Sequence, residues 1–345
     1  MPTTRRLDGL DAARGLACVS MLVAHLCPVG GPFVVSEYLT APLFAVIIGV
    51  SMGLVLTERH PTTATFLHDN LQRGLVLVVL GVLLQQVYSQ IDVVLPYLGL
   101  LVVVMAPLAL PLHRRPALTL GVAAAAAVAG HVALVRARLA LDQHYATWPQ
   151  WGEDIVRWVA AGDSYRLVSL LPMALGGLAL ATVLRRATRP RTGYAVVAAL
   201  LVASVAAYLV GRTTPDGSAP YSGTTAEVVG ATLLAAGAVI GSFLVLALAR
   251  RLGVGRVLDP VLSTGRLSLT AYTLQILFLA AVAVVRGPVR DDSWFVLGST
   301  TVVVVGGCWL FERRLGVGPL EWFVRRTRPT THPVAGTERV RSTND

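Results

Sequence analysis

The sequence predicts an all-α fold: a polytopic integral membrane bundle of about ten transmembrane helices with both termini cytoplasmic. Three observations predict it. Of 345 residues, 54% are hydrophobic and 14% charged, with a mean hydropathy of +0.66, whereas ordinary soluble domains carry about 25% charged residues. The apolar residues fall in long blocks, most of them close to the roughly 20 residues a helix needs to cross the hydrocarbon. Short arginine-bearing stretches separate the blocks, and no lysine occurs anywhere in the chain. A soluble enzyme and a disordered chain are both excluded. The strands of a transmembrane barrel would alternate polar and apolar residues, which these blocks do not.

The elements follow in order. The spans are expected at 12–30, 38–57, 73–90, 93–110, 117–135, 166–184, 194–211, 225–249, 266–286 and 294–311. The first is read as a retained helix. Asp8 and Asp11 precede its apolar run, His25 sits inside it, and no small-residue cleavage site follows. In the second, Gly49, Ser51 and Gly53 would let the first span approach closely. The third opens at Arg73, and the fourth is short and carries Pro96 and Pro107. His131 falls near the outer end of the Ala-rich fifth span. The loop 136–165 carries His144, Trp148, Trp151 and Trp158, and a short interfacial helix is expected at 151–161. Residues 1–324 form one transmembrane domain, and the basic, Thr- and Pro-bearing tail 325–345 is expected to be disordered beside the inner leaflet.

Arginine placement tests this count. With the N-terminus inside, 22 of the 29 arginines fall on the inner side, the bias expected of cytoplasmic loops. The net charge of +10 therefore reads as membrane topology, not as nucleic-acid binding; the expected location is the plasma (inner) membrane. Cys18, Cys27 and Cys308 are odd in number and lie in apolar segments, so buried thiols are expected and no disulfide framework.

Ionisable side chains inside a membrane are costly, so each calls for a reason. Arg14 and His25 are eleven residues apart, which puts them on nearly one helix face about 16 Å apart along the axis. Asp11 can pair with Arg14. A guanidinium at the inner mouth suits a phosphate, and an imidazole deeper in the span suits a general base. A donor with a charged head and a long arm would fit between them. The plainer alternative is that Arg14 snorkels to the interface and His25 bonds a neighbouring backbone. Arg73 is a second phosphate candidate or an interfacial anchor. Ser51 is a further candidate for a pocket wall. Ser268, Tyr272 and Gln275 recur at spacings of four and three, which places three polar groups on one face of the ninth span, as a cavity wall or as interhelical hydrogen bonds. Gln85 and Gln86 can line a cavity or bond a neighbour.

These stretches resemble known proteins. LDGLDAARGLACVSMLVAH followed by PLFAVIIGVSMGLVL resembles the heparan-α-glucosaminide N-acetyltransferase-like domain and a related bacterial membrane family. AAGDSYRLVSLLPMALGGLAL, YSGTTAEVVGATLLAAGAVI, GRLSLTAYTLQ and GVGPLEWFVRR resemble later segments of that bacterial family, in the same order. Both resemble a wider group of transmembrane acyltransferases that open with an Arg, ten residues and a His, as Arg14 and His25 do. The resemblance implies transfer of an acyl group, acetyl in the first instance, from cytoplasmic acyl-CoA to a hydroxyl or amine of an extracytoplasmic or lipid-linked glycan-type acceptor. It implies His25 as base or acyl carrier, and Arg14, with Asp11 and Arg73, as the phosphate site. Ser268, Tyr272 and Gln275 would line the pocket, and Tyr221 with the Trp-bearing loop would meet the acceptor. Tyr221 and Gln275 stand where the bacterial family commonly has His.

A transporter or carrier for a small anionic or lipid substrate would also need buried Arg and His around a midplane cavity, and a structural membrane protein would not need His25 at all. No metal-ligand spacing occurs, so no metal is expected. The small-residue faces serve either internal packing or a homodimer seam.

Overall fold

The computed structural model describes residues 7–28, 32–87, 89–144, 149–214, 217–287, 293–316 and 318–326. All its elements are helical, and ten of them are long and apolar enough to cross a membrane. In chain order the first five are α1 (Asp8–Leu26), α2 (Val35–Glu58), α3 (Thr63–Gln85), α4 (Leu95–Leu112) and α5 (Pro116–His144). A short helix, α6 (Gln150–Val156), continues through a π-type turn, Arg157–Ala161, at the place expected for the interfacial helix. Then come α7 (Leu167–Ala187), α8 (Pro190–Gly211), α9 (Thr225–Arg251), the short α10 (Asp259–Arg266), and α11 (Ser268–Arg286). The last span is α12 (Trp294–Thr301) and α13 (Gly307–Leu315), joined by a second π-type turn at Val302–Gly306, before the short α14 (Pro319–Arg326). The tail from residue 327 on, and Trp148, lie outside the described residues.

Local chemistry sets the helix ends. Thr62, Thr224 and Ser293 each accept a hydrogen bond from the backbone three residues on, at 3.2 Å, satisfying N–H groups that a helix start leaves unpaired. Pro96 sits in the first turn of α4, where its missing N–H costs nothing. Three boundaries differ from expectation. The third helix begins at Thr63, because its polar start, TFLHDNLQ, is helical and capped by Thr62; Arg73 therefore lies well inside α3 and does not open it. The fifth runs to His144, which leaves His131 in mid-helix. The first ends at Leu26, so His25 falls in its last turn.

The core is built around α1, α2 and α7, whose inner faces are almost fully enclosed. Glycines decide who packs on whom. A methyl at Gly49 would strike the carbonyl of Ala174, one at Gly53 would meet Ala181, and one at Gly177 would strike the carbonyl of Val46. Thus α7, not α1 as expected, seats against Gly49 and Gly53 of α2, while Ser51 meets α1 through Arg14. The close partner of α1 is α10: Gly15 lies against Val261, and Gly265 against the Asp11 carbonyl. By contrast α8 turns Val202, Val205, Leu209 and Val210 outward, a face suited to lipid.

Ion pairs tie the helix ends of one face together. Asp8 meets Arg250 at 2.5 Å and Arg266 at 3.2 Å, and Arg266 meets Glu312 at 3.0 Å. This basic face holds the starts of α1 and α11 and the ends of α9 and α13. The opposite face holds α6, the Phe33–Trp294 ring contact at 5.5 Å, and the loop before α9.

Candidate functional site

A cavity of about 280 Å³ opens on the basic face. Its charged lining comes from four elements: Arg14 of α1, Arg73 of α3, Arg266 of α10 and Glu321 of α14. Deeper walls are apolar, with Phe44, Ile47 and Ile48 from α2, Leu77 from α3, and Leu95 and Leu98 from α4. Ser268 and Tyr272 of α11 complete it. Three guanidiniums and one carboxylate line the mouth above an apolar interior, with Arg14 and Arg266 also paired to carboxylates behind it.

Each charge is held in place. Arg14 donates to Asp11 Oδ1 at 3.0 Å and to Ser51 Oγ at 3.0 Å. Asp11 is 1% exposed, and Arg266 Nε lies 3.6 Å from its other oxygen. Arg266 also bridges Asp8 and Glu312. Burial alone would lower its pKa, but the hydrogen bond and charge of Glu312 with those of Asp8 and Asp11 outweigh it and hold the guanidinium above its ordinary value. Glu321 caps α11: its Oε1 accepts the N–H groups of Leu269 and Thr270, each at 3.0 Å, and its Oε2 accepts the Thr270 hydroxyl at 2.6 Å.

A second cavity, about 380 Å³ and mostly polar, opens toward the opposite face. Gln85, Ser89, Asp92, Tyr97, Arg157, Asp163, Ser164 and Tyr165 line it. Ser164 donates to Asp92 at 2.5 Å. The Tyr97 ring packs between Trp158 and Tyr165, with centroids 5.8 Å away in each case. The first turn of α4 and the residues just before it contribute to the walls of both cavities. Ile91, Asp92, Val93 and Tyr97 face the polar one, while Leu95 and Leu98 face the arginine one. Tyr272 latches this segment, its hydroxyl accepting the Val94 N–H at 2.9 Å.

Of the residues expected to act together, Arg14, Arg73, Ser268 and Tyr272 share the basic-face cavity, and Asp11 and Ser51 hold Arg14. Gln275 is fully buried one turn past Tyr272 and does not line the cavity. Tyr221 is not in this pocket either. It sits in a positive-φ turn (φ 59°) at the opposite face, its ring 5.6 Å from Tyr165. The physical reason is a clamp: the buried Arg166 guanidinium donates to the carbonyls of Gly162 and Tyr221, and Glu227 accepts the Gly223 N–H at 3.3 Å. Burial, with the like charge of Arg138 second, draws Arg166 down to about 10, so it stays charged at neutral pH. Burial likewise raises the Tyr165 and Tyr221 phenols, which stay protonated. His25 is partly buried in the last turn of α1 and lines neither the basic-face cavity nor the polar one.

The sequence does not mark Arg266 and Glu321 as site residues. Each stands at a helix end, where arginine and glutamate are ordinary, and the signal available was only their place in the GRLSLTAYTLQ and GVGPLEWFVRR stretches. Cys18, Cys27 and Cys308 are free thiols, with Cys18 and Cys308 buried. Among the described residues no group of three or more His, Cys, Asp or Glu is placed to hold a metal. Compared with known families, residues 7–313 match the family described as an acyltransferase domain. No curated protein matches the chain.

Proposed function

Because the chain belongs to this acyltransferase family, with a match over residues 7–313, we propose that it moves an acyl group, acetyl in the first instance, from acyl-CoA across the membrane to a glycan-type acceptor. The observation that carries the reading is the convergence of Arg14, Arg73 and Arg266, from three separate helices, on one apolar-walled cavity. Guanidiniums suit phosphate oxygens, and apolar walls suit an arm that leads inward. Arginine bias supports a cytoplasmic location for that face, in the plasma (inner) membrane, with both termini on the same side.

His25 lies eleven residues beyond Arg14 on α1, about 16 Å deeper. A donor whose phosphates rest on the arginines presents its thioester toward that end. His25 then takes the proton from an acceptor hydroxyl or amine as its oxygen or nitrogen attacks the thioester carbonyl. The carbon–sulfur bond breaks, and the imidazolium returns the proton to the departing thiolate. In the two-step version, the imidazole nitrogen attacks first and carries the acyl group to the acceptor. The polar cavity on the far side, with its aromatic wall, carboxylates and amide, has the chemistry of a hydroxyl-rich acceptor site. The resemblance to heparan-α-glucosaminide N-acetyltransferase-like domains supports a glycan-type acceptor.

Purified protein in proteoliposomes with radiolabelled acetyl-CoA tests this. Arg14→Ala should weaken CoA binding at least tenfold, and His25→Ala should abolish transfer with CoA binding intact. Saturable substrate flux without any dependence on CoA would overturn the reading in favour of a carrier.

A further inference from the structure

A third cavity, of about 370 Å³ and mainly apolar, lies near the face opposite the arginines, between the start of α2, the last turns of α8 and the first turns of α9. Val34, Val35, Val205 and Tyr208 form its rim, each between 39% and 57% exposed. The rim is continuous with Val202 and Leu209, on the face that α8 turns outward to lipid. The groove therefore opens sideways, toward hydrocarbon. Lipid is the solvent there, and a hollow left empty in such a wall would forfeit the dispersion contacts of its lining. A lipid chain is the occupant that the groove's walls and its opening both fit.

The polar groups of the groove say which lipid. Glu227, 7% exposed, is part of its wall, and no arginine or histidine among the described residues joins it there. The Ser204 hydroxyl already donates to the Gly230 carbonyl at 2.8 Å, and the Tyr38 hydroxyl to the Ser218 carbonyl. A carboxylate is thus the strongest polar feature, and it accepts hydrogen bonds. A hydroxyl-bearing head suits it, whereas a phosphate head would meet a like charge with no cation to offset it. Capping the turn before α9 accounts for Glu227 Oε2, which accepts the Gly223 N–H at 3.3 Å; it does not account for an apolar hollow walled by a carboxylate. Glu227 also lines a chamber of about 20 Å³ with Ser164, Tyr165 and Tyr221, and Ser164 and Tyr165 line the polar cavity as well. The groove and the polar cavity thus abut one small chamber, with room for a water.

We infer that the groove between α2, α8 and α9 binds a chain of an uncharged glycolipid, with Glu227 accepting a hydrogen bond from a hydroxyl of its head. The binding site stands without acyl transfer. Under the function proposed above, on which this sentence alone rests, the acceptor is a membrane-borne glycolipid that reaches the polar cavity from the lipid and not from water.

The test places the full-length protein in phosphatidylcholine nanodiscs with a glucosyl-diacylglycerol that carries a photoreactive diazirine in one chain. Phosphatidylglycerol with the same chain is the anionic comparison. After illumination, labelled peptides are identified by mass spectrometry. The glycolipid should label segments 34–38, 204–208 and 226–234 at least about fivefold more than phosphatidylglycerol does, an affinity difference of about 1 kcal/mol. Val205→Trp, which fills the mouth of the groove, should cut that labelling at least about fivefold, whereas Val202→Trp, on the lipid-facing side of α8 and outside the groove, should leave it unchanged. Glu227→Gln keeps an oxygen for the Gly223 N–H but loses the charge, and should narrow the preference for the glycolipid over phosphatidylglycerol. Equal labelling by the two lipids in wild-type protein, a readout that needs no variant to fold, would overturn the inference and leave bulk lipid in the groove. Equal labelling of Val205→Trp and Val202→Trp would overturn it as well, by placing the lipid elsewhere. None of these arms contains acyl-CoA, so their failure leaves the acyl-transfer reading standing, and a failure of the protein to bind CoA leaves the groove standing.

Discussion

Replacing Arg266 by Met strikes the point where fold and proposed donor site meet. Arg266 is 27% exposed and touches three carboxylates. Its loss leaves Asp8 with Arg250 at 2.5 Å, so that pair costs little. Glu312, 19% exposed, loses a 3.0 Å partner, worth about 1 kcal/mol for a half-buried pair. Asp11, 1% exposed, keeps Arg14 at 3.0 Å but loses the second positive charge at 3.6 Å, worth about 1 kcal/mol more. The sum is about 2 kcal/mol, a fall of a few degrees in the thermal midpoint in detergent. CoA affinity should drop at least tenfold, since a charge-assisted hydrogen bond is worth about 1.5–3 kcal/mol, and the gap should narrow in high salt. Arg266→Lys should recover part of both effects, because it restores the charge without the planar fork. Unchanged stability together with CoA affinity within twofold of wild type would refute the reasoning.

Two further outcomes follow from packing and from the Tyr272 latch. Tyr272→Phe removes the acceptor of the buried Val94 N–H, a loss of about 1–3 kcal/mol, and should speed deuterium exchange over residues 91–98; an unchanged exchange rate there would contradict the latch. Gly265→Val drives a side chain into the Asp11 carbonyl and should unseat α10 from α1, abolishing CoA binding, whereas Gly241→Ala, which meets nothing within 4 Å, should be silent; equal behaviour of the two variants in a CoA-dependent thermal shift would contradict the packing account.

Much of the bundle was legible because a lipid-crossing helix is a composition and a length, and both are written locally. The same rule made Arg14, Ser268 and Tyr272 visible: a polar group in an apolar run needs a partner or a cavity. What stayed hidden depends on contacts between distant segments. Gly49 and Gly53 announce a close helix neighbour without saying which, and the neighbour is α7. Arg266 and Glu321 look like ordinary helix-end residues until α10 and α14 bring them to one mouth. Tyr221 is placed with the outer, Trp-bearing loop by resemblance alone, because loop geometry has no periodicity. Only the Arg166 clamp shows what holds it there. The start of α3 is hidden because its first ten residues, TATFLHDNLQ, mix polar side chains into the apolar pattern, although they are helical.

The account depends on the arginine mouth being where an acyl-CoA rests, and a structure determined with saturating acetyl-CoA tests that most directly. The expected density places phosphate oxygens within hydrogen-bond distance of Arg14, Arg73 and Arg266, with the arm running along the apolar wall toward Tyr272. Density for CoA elsewhere on the protein, or a mouth still empty at saturation, would contradict it.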